Sequence, residues 1–227
     1  MSLSVIIPVL NEGALIDAQV RRTASLAGVD EIVVVDGGST DGTVERVPRL
    51  PQVRLVHSQR GRAFQLNAGA REARGDVLLF LHADVQLPAD AASWVARALA
   101  APDTVGGAFR TWTIADRPTR LGPLLHLADL RSRYTGLPYG DQAPFVRRAV
   151  FESVGGFPEQ PLMEDLEFSM KLRRAGRVAR VPARVTVSGR RFIARPVFFT
   201  LVVNIFPALY RLGVSPEALA RFYEHVR

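Results

Sequence analysis

The sequence predicts an α/β fold whose first half is a doubly wound parallel sheet, and three observations carry that prediction. Short apolar runs alternate with amphipathic stretches through the first hundred residues, the pattern of a parallel sheet with helices on both faces. Polar clusters follow the apolar runs, as in Asn11-Glu12, Asp36-Gly37-Gly38-Ser39 and His82-Ala83-Asp84, and ligands of open α/β sheets collect beyond the carboxyl ends of the strands. The 227 residues, 48% of them hydrophobic, suffice for one large domain.

Strands are expected at Ser4 to Pro8, Glu31 to Asp36, Val53 to His57 and Asp76 to His82. Helices are expected near Leu15 to Leu26, Thr43 to Arg49 and Ala63 to Arg74, with Gly75 as a stop. Pro88 suits the first position of a helix reaching about Ala100. The second half is less regular: a strand over Gly107 to Thr113, a helix over Leu121 to Tyr134, a loop over Gly136 to Gln142 and a helix over Glu164 to Arg174, stopped by Gly176. No repeat or flexible linker divides the chain, so residues 1–227 count as one domain with halves of about 1–105 and 106–227.

Charge divides along the same line. The first 105 residues hold 10 Arg against 12 acids, whereas residues 106–227 hold 19 Arg plus Lys against 10 acids. A basic second half suits phosphate-bearing ligands or an anionic membrane surface. Nucleic acid is not expected, because no aromatic-interleaved basic stretch is present. Without cysteine, thiolate metal sites and disulfides are excluded. The run Val5 to Leu10 has no basic segment before it and makes a poor signal peptide, so a cytoplasmic protein is expected. The C-terminal run Val197 to Leu209 contains Asn204 and Pro207 and falls short of a span. It suits a buried helix, with peripheral contact at the inner membrane face as the alternative.

Asp36 ends a β-rich run and opens Gly37-Gly38-Ser39-Thr40-Asp41-Gly42-Thr43. Its carboxylate can accept hydrogen bonds from a nucleotide's base or ribose, while Asp41 reads as a helix cap. Asp84 closes a buried strand and is an oxygen ligand suited to Mg2+ or Mn2+, although an Asp in that position is more often a turn residue. Glu164 and Asp165 open a helix, where acids also serve the helix dipole. Arg60-Gly61-Arg62 reads either as a basic loop over a diphosphate or as a surface turn.

Taken in order, these motifs resemble the family 2 glycosyltransferases. The resemblance rests on Pro8-Val-Leu-Asn11-Glu12, the run Asp36 to Thr43, Asn67-x-Gly69, the strand ending in Asp84, Gly155-Gly156-Phe157, and Glu164-Asp165 with Arg173 downstream. Leu79 to Asp84 and Gly140-Asp141-Gln142 are similar to a small stand-alone bacterial sub-group associated with radical-SAM proteins. The resemblance implies the GT-A fold: a Rossmann-like nucleotide-binding half, a mixed sheet, and an irregular acceptor-binding half with C-terminal helices.

It further implies an inverting, divalent-metal-assisted transfer from a nucleoside-diphosphate sugar to a hydroxyl of a small molecule or lipid. By the same resemblance Pro8, Asn11, Glu12, Asp36, Asn67 and His82 face the nucleotide, Asp84 holds the metal, and Asp165 is the base with Glu164 beside it; Arg62 joins the nucleotide residues because its loop follows the third strand on the ligand rim. Asp141 and Gln142 fall where acceptor or sugar contacts are expected. Two departures stand out: His82 occupies the first position of the DxD motif, and Thr186 to Arg191 lacks the late His of many relatives. Arg190 and Arg191 are the expected diphosphate contacts there, through bidentate guanidinium forks. A nucleotidyltransferase would release pyrophosphate instead of a nucleoside diphosphate, and a non-catalytic nucleotide-sugar sensor would give no product. The single Gly of Pro8 to Gly13 and the presence of both Asp84 and Asp165 speak against these rivals.

Overall fold

A computed structural model describes residues 1–115, 126, 129, 136–189 and 196–226. The helix expected over Leu121 to Tyr134, apart from His126 and Asp129, and the pair Arg190 and Arg191 lie outside these residues.

The first half alternates as expected: β1 (Leu3–Val9), α1 (Ile16–Ala24), β2 (Glu31–Asp36), β3 (Val53–His57), α2 (Arg62–Glu72), β4 (Val77–Phe80), a short β5 (Val85–Gln86) and α3 (Ala91–Ala98). Then come β6 (Thr104–Ile114), β7 (Phe145–Arg147), α4 (Arg148–Ser153), α5 (Glu164–Ala175), β8 (Arg177–Ser188), α6 (Pro196–Arg211) and α7 (Pro216–Val226). The strands form one sheet in the order β3-β2-β1-β4-β7-β6-β8-β5. Pairs among β1 to β4 are parallel, whereas β7 runs antiparallel to both β4 and β6, making the sheet mixed.

Each face of the sheet has its own core. Val5, Ile7, Val34, Leu79 and Phe109 pack under α1 and α3, while Ile6, Val33, Leu78 and Phe80 pack under α2 and α5. On the second face Phe80, Phe151, Phe157 and Phe168 form a ring cluster with centroids 4.1–6.2 Å apart. Burying each ring contributes roughly 1.5–3 kcal/mol, and the cluster fixes α5 beneath the carboxyl rim.

Three expectations change. The helix over Thr43 to Arg49 is only a 3-10 turn, Val44–Arg46. Pro48 holds Val47 extended (ψ 121°) and so ends the turn. Asp41 caps no helix: its carboxylate accepts the Gly13 N–H (3.0 Å) and the Thr43 N–H (3.0 Å), joining two loops. Helix α3 starts at Ala91, because Pro88 to Asp90 form a turn and Asp90 takes the N-cap position.

Candidate active site

The carboxyl ends of β1, β2 and β4 meet at one rim. Asn11, in left-handed backbone (φ 56°), donates its N–H to Ser39 Oγ (2.9 Å) and accepts the Thr40 N–H on Oδ1 (2.9 Å). The Glu12 N–H reaches Thr43 Oγ1 at 2.9 Å. Asp36 is buried and accepts the N–H groups of Gly38 (3.0 Å) and Ser39 (3.1 Å), with His57 Nδ1 at 3.6 Å. Asn11 and Asp36 therefore shape the rim by stitching its loops together.

A cleft of about 330 Å3 opens on this rim. Pro8, Val9, Leu10 and Glu12 form one wall; Arg60, Gly61, Arg62 and Gln65 lie at the start of α2; and His82, Ala83 and Asp84 follow β4. Pro161, Leu162 and Glu164 form the opposite wall, together with Ala220 and Tyr223 of α7. Of the residues expected at the site, Pro8, Glu12, Arg62, His82, Asp84 and Glu164 thus line one cleft.

Asp165 sits beside it. Its Oδ2 accepts the Gly140 N–H (2.8 Å) and its Oδ1 the Leu166 N–H (2.7 Å), leaving lone pairs on both oxygens. A Cβ on Gly140 would lie 2.6 Å from His82 Nε2 and 3.6 Å from Asp165 Oδ2, so the missing side chain lets backbone, imidazole and carboxylate converge. Met163, immediately before the acid pair, adopts φ 65°, an uncommon conformation for a non-glycine residue that clusters at functional sites.

Electrostatics bind these groups together. Glu164, its side chain 5% exposed, lies 3.8 Å from Arg62 Nη1. Burial, then repulsion from Asp165, pushes Glu164 up to about 7, against the pull of Arg62. Burial would lower Arg62, but Glu164, Asp165, Asp84 and Tyr223 outweigh it and hold the guanidinium above its ordinary value. Its side chain is nonetheless 43% exposed, because it projects into the open cleft.

Other expected residues have different surroundings. Asn67 spends both ends of its amide on one backbone unit, donating to Phe157 O (2.9 Å) and accepting the Phe157 N–H (3.0 Å), and it does not line the cleft. Gly156 (φ 61°) makes this clamp fit, since a Cβ there would meet Asn67 Oδ1 at 2.8 Å. Asp141 and the buried Gln142 lie in a 3-10 turn following Tyr139. Sequence reasoning missed Gln65, whose amide donates to Val9 O (2.7 Å) and Val35 O (2.8 Å) and locks the ends of β1 and β2. Its position one turn after Arg62 was the available signal; Tyr223 offered none.

A parallel half with a cleft of carboxylates and arginines on its carboxyl rim defines an α/β protein built to hold a ligand at its strand ends. The model of Glycosyl transferase family 2 matches residues 4–155. The chain belongs to that family, and its fold is GT-A. It is 31% identical over 173 residues to an undecaprenyl-phosphate 4-deoxy-4-formamido-L-arabinose transferase of Pseudomonas paraeruginosa, covering 67% of this chain and 49% of that protein. A dolichol-phosphate mannosyltransferase of Mycosarcoma maydis is 36% identical over 105 residues, 40% of this chain and 35% of that one. Among solved structures, a mannosyltransferase from Pyrobaculum calidifontis in complex with GDP-Man and Mn2+ superposes with a TM-score of 0.65 at 27% identity, covering 81% of this chain and 56% of its own. The chain spans about half the length of the curated relatives it matches first.

Proposed function

We propose that this chain transfers a sugar from a nucleoside-diphosphate sugar to an acceptor hydroxyl with inversion at the anomeric carbon. The observation that carries the reading is the gathering of charge on the Arg62 guanidinium at the carboxyl ends of parallel strands: Glu164 and Asp84 share its cleft, and Asp165 acts on it from beside that cleft. In the proposed reaction Asp165 takes the acceptor proton while the acceptor oxygen bonds to the anomeric carbon and the bond to the diphosphate breaks. The nucleoside diphosphate leaves with the electron pair, and Arg62 meets the negative charge that gathers there. Glu164 borders Asp165 and orients the acceptor side of the cleft. Pro8, Glu12 and His82 face the nucleotide, and Asp141 with Gln142 flanks the acceptor.

Asp84 is the residue that would hold Mg2+ or Mn2+, with His82 two residues before it. Among the described residues no three His, Asp or Glu side chains stand close enough together to hold a metal ion by themselves. One carboxylate ligand from the protein fits an ion that completes its shell from donor phosphates and water. When bound, the ion adds positive charge at the diphosphate. The similar mannosyltransferase bound to GDP-Man supports the donor class, and the motif resemblance supports placement with the radical-SAM-associated sub-group. Thermal unfolding with UDP or GDP, each with and without Mn2+, tests the reading: a ligand that binds only the folded state raises the midpoint by mass action. No shift with any of the four additions would overturn it.

A second reading, a lipid acceptor at a membrane surface, is favoured by the exposed Ile205 (45%), Leu212 (82%) and Phe222 (57%) on α6, the turn after it and α7. Arg211 and Arg221 lie beside them in sequence, and two relatives carry lipid-phosphate names. No helix among the described residues is long and apolar enough to cross a membrane, and the reading concerns a peripheral contact. Sedimentation with anionic liposomes at low salt checks it, where the attraction is strongest. Protein left in the supernatant would sink this version.

A further inference from the structure

The Arg62–Glu164 pair joins the start of α2 to the start of α5, yet those elements are already fastened elsewhere. Asn67 clamps Phe157 through two hydrogen bonds, Lys171 Nζ donates to Gly156 O at 3.2 Å, and the Phe80, Phe151, Phe157 and Phe168 rings fill the space between. The ion pair is also loose. Its 3.8 Å separation exceeds the roughly 2.7–2.9 Å of a charge-assisted hydrogen bond. Its partners are unequally held: Glu164 is buried on a helix, whereas 43% of the Arg62 side chain opens to the cleft.

We propose that Glu164 is an internal stand-in for the donor's diphosphate: without donor it engages Arg62, and donor binding draws the guanidinium from Glu164 onto the phosphates. The inference rests on the donor class proposed above. A diphosphate enters a cleft already bordered by Glu164, Asp165 and Asp84, so attraction rests on the cleft's arginines, Arg60 and Arg62, and varies with how much Arg62 charge is uncommitted. Glu164 commits part of it and thereby weakens donor binding. Once Arg62 moves, Glu164 loses its counter-ion next to Asp165, and the pair becomes a positioning device that differs between the free and donor-bound protein.

Calorimetric titration of the full chain with UDP and with GDP, in Mn2+ at pH 8, separates exchange from a structural bridge. Glu164→Gln is expected to bind the nucleoside diphosphate about three- to tenfold more tightly than wild type, and Arg62→Gln at least about tenfold more weakly. Adding Glu164→Gln to Arg62→Gln is expected to tighten binding clearly less than Glu164→Gln does alone, because the competed cation is gone and only direct repulsion by Glu164 is relieved. Glu164→Asp, which shortens the reach by one methylene, is expected to shift affinity in the same direction and serves if the Gln variant folds poorly. A structural bridge would instead weaken binding in both single variants and lower both unfolding midpoints. Wild-type binding with no tightening in either Glu164 variant overturns the exchange alone, whereas no wild-type binding to either nucleotide overturns the donor class itself.

Discussion

Glu164 ties site chemistry to folding stability in a way that can be measured without any substrate. Its carboxyl is pushed from an ordinary 4.5 to about 7, by burial first and by Asp165 second. Between those values the folded protein keeps a proton that the unfolded chain has released. The stabilisation is therefore complete below pH 4.5, falls as pH rises toward 7, and is exhausted above it. At about 1.4 kcal/mol per pH unit the window amounts to about 3 kcal/mol. Glu164→Gln cannot titrate, so it removes this component. Urea denaturation of both proteins at half-unit steps from pH 4 to 8.5 gives the difference directly. The stability of Glu164→Gln relative to wild type should rise by about 3 kcal/mol across the window and level off beyond it. A difference that stays constant with pH would refute the burial and repulsion argument.

Other residues give independent expectations. Asn67→Ala should cost roughly 2–4 kcal/mol in urea, because two hydrogen bonds vanish and the Phe157 N–H and C=O lose a partner inside a packed loop; a loss under about 0.5 kcal/mol would show that water replaces the clamp. Gly140→Ala should reduce turnover by tenfold or more with little change in unfolding midpoint, since the methyl would strike His82 and displace the donor N–H from Asp165. Unaltered turnover in that variant would mean that this convergence does not matter to the reaction.

The rim was legible because its signals are local. Apolar runs ending in Asn11-Glu12, Asp36 and Asp84 mark β1, β2 and β4, and parallel pairing brings their ends together without further information. What escaped depends on distant partners. Strand β8 reads as alternating Arg and Val with Pro182 inside it, and it becomes a strand because the bulge facing Ala108 to Arg110 accommodates the proline. Asn67 stands in a motif expected at the nucleotide, and its clamp on a backbone unit ninety residues away is invisible in the sequence. The acid pair was visible as a helix start, but its pairing with Arg62 and its closure by Tyr223 need the tertiary fold. Short motifs thus disclosed which residues carry charge, and packing determined which of them neutralise one another.

The most direct measurement of the central claim is transfer by Asp165→Asn, followed as nucleoside diphosphate released with a candidate acceptor, alongside calorimetric binding of that diphosphate. Removing the base should lower turnover by on the order of 10² to 10⁴ while binding stays within about twofold. An acceptor phosphate oxygen would need no proton removed, so near wild-type turnover by Asp165→Asn would contradict the account and point to that chemistry.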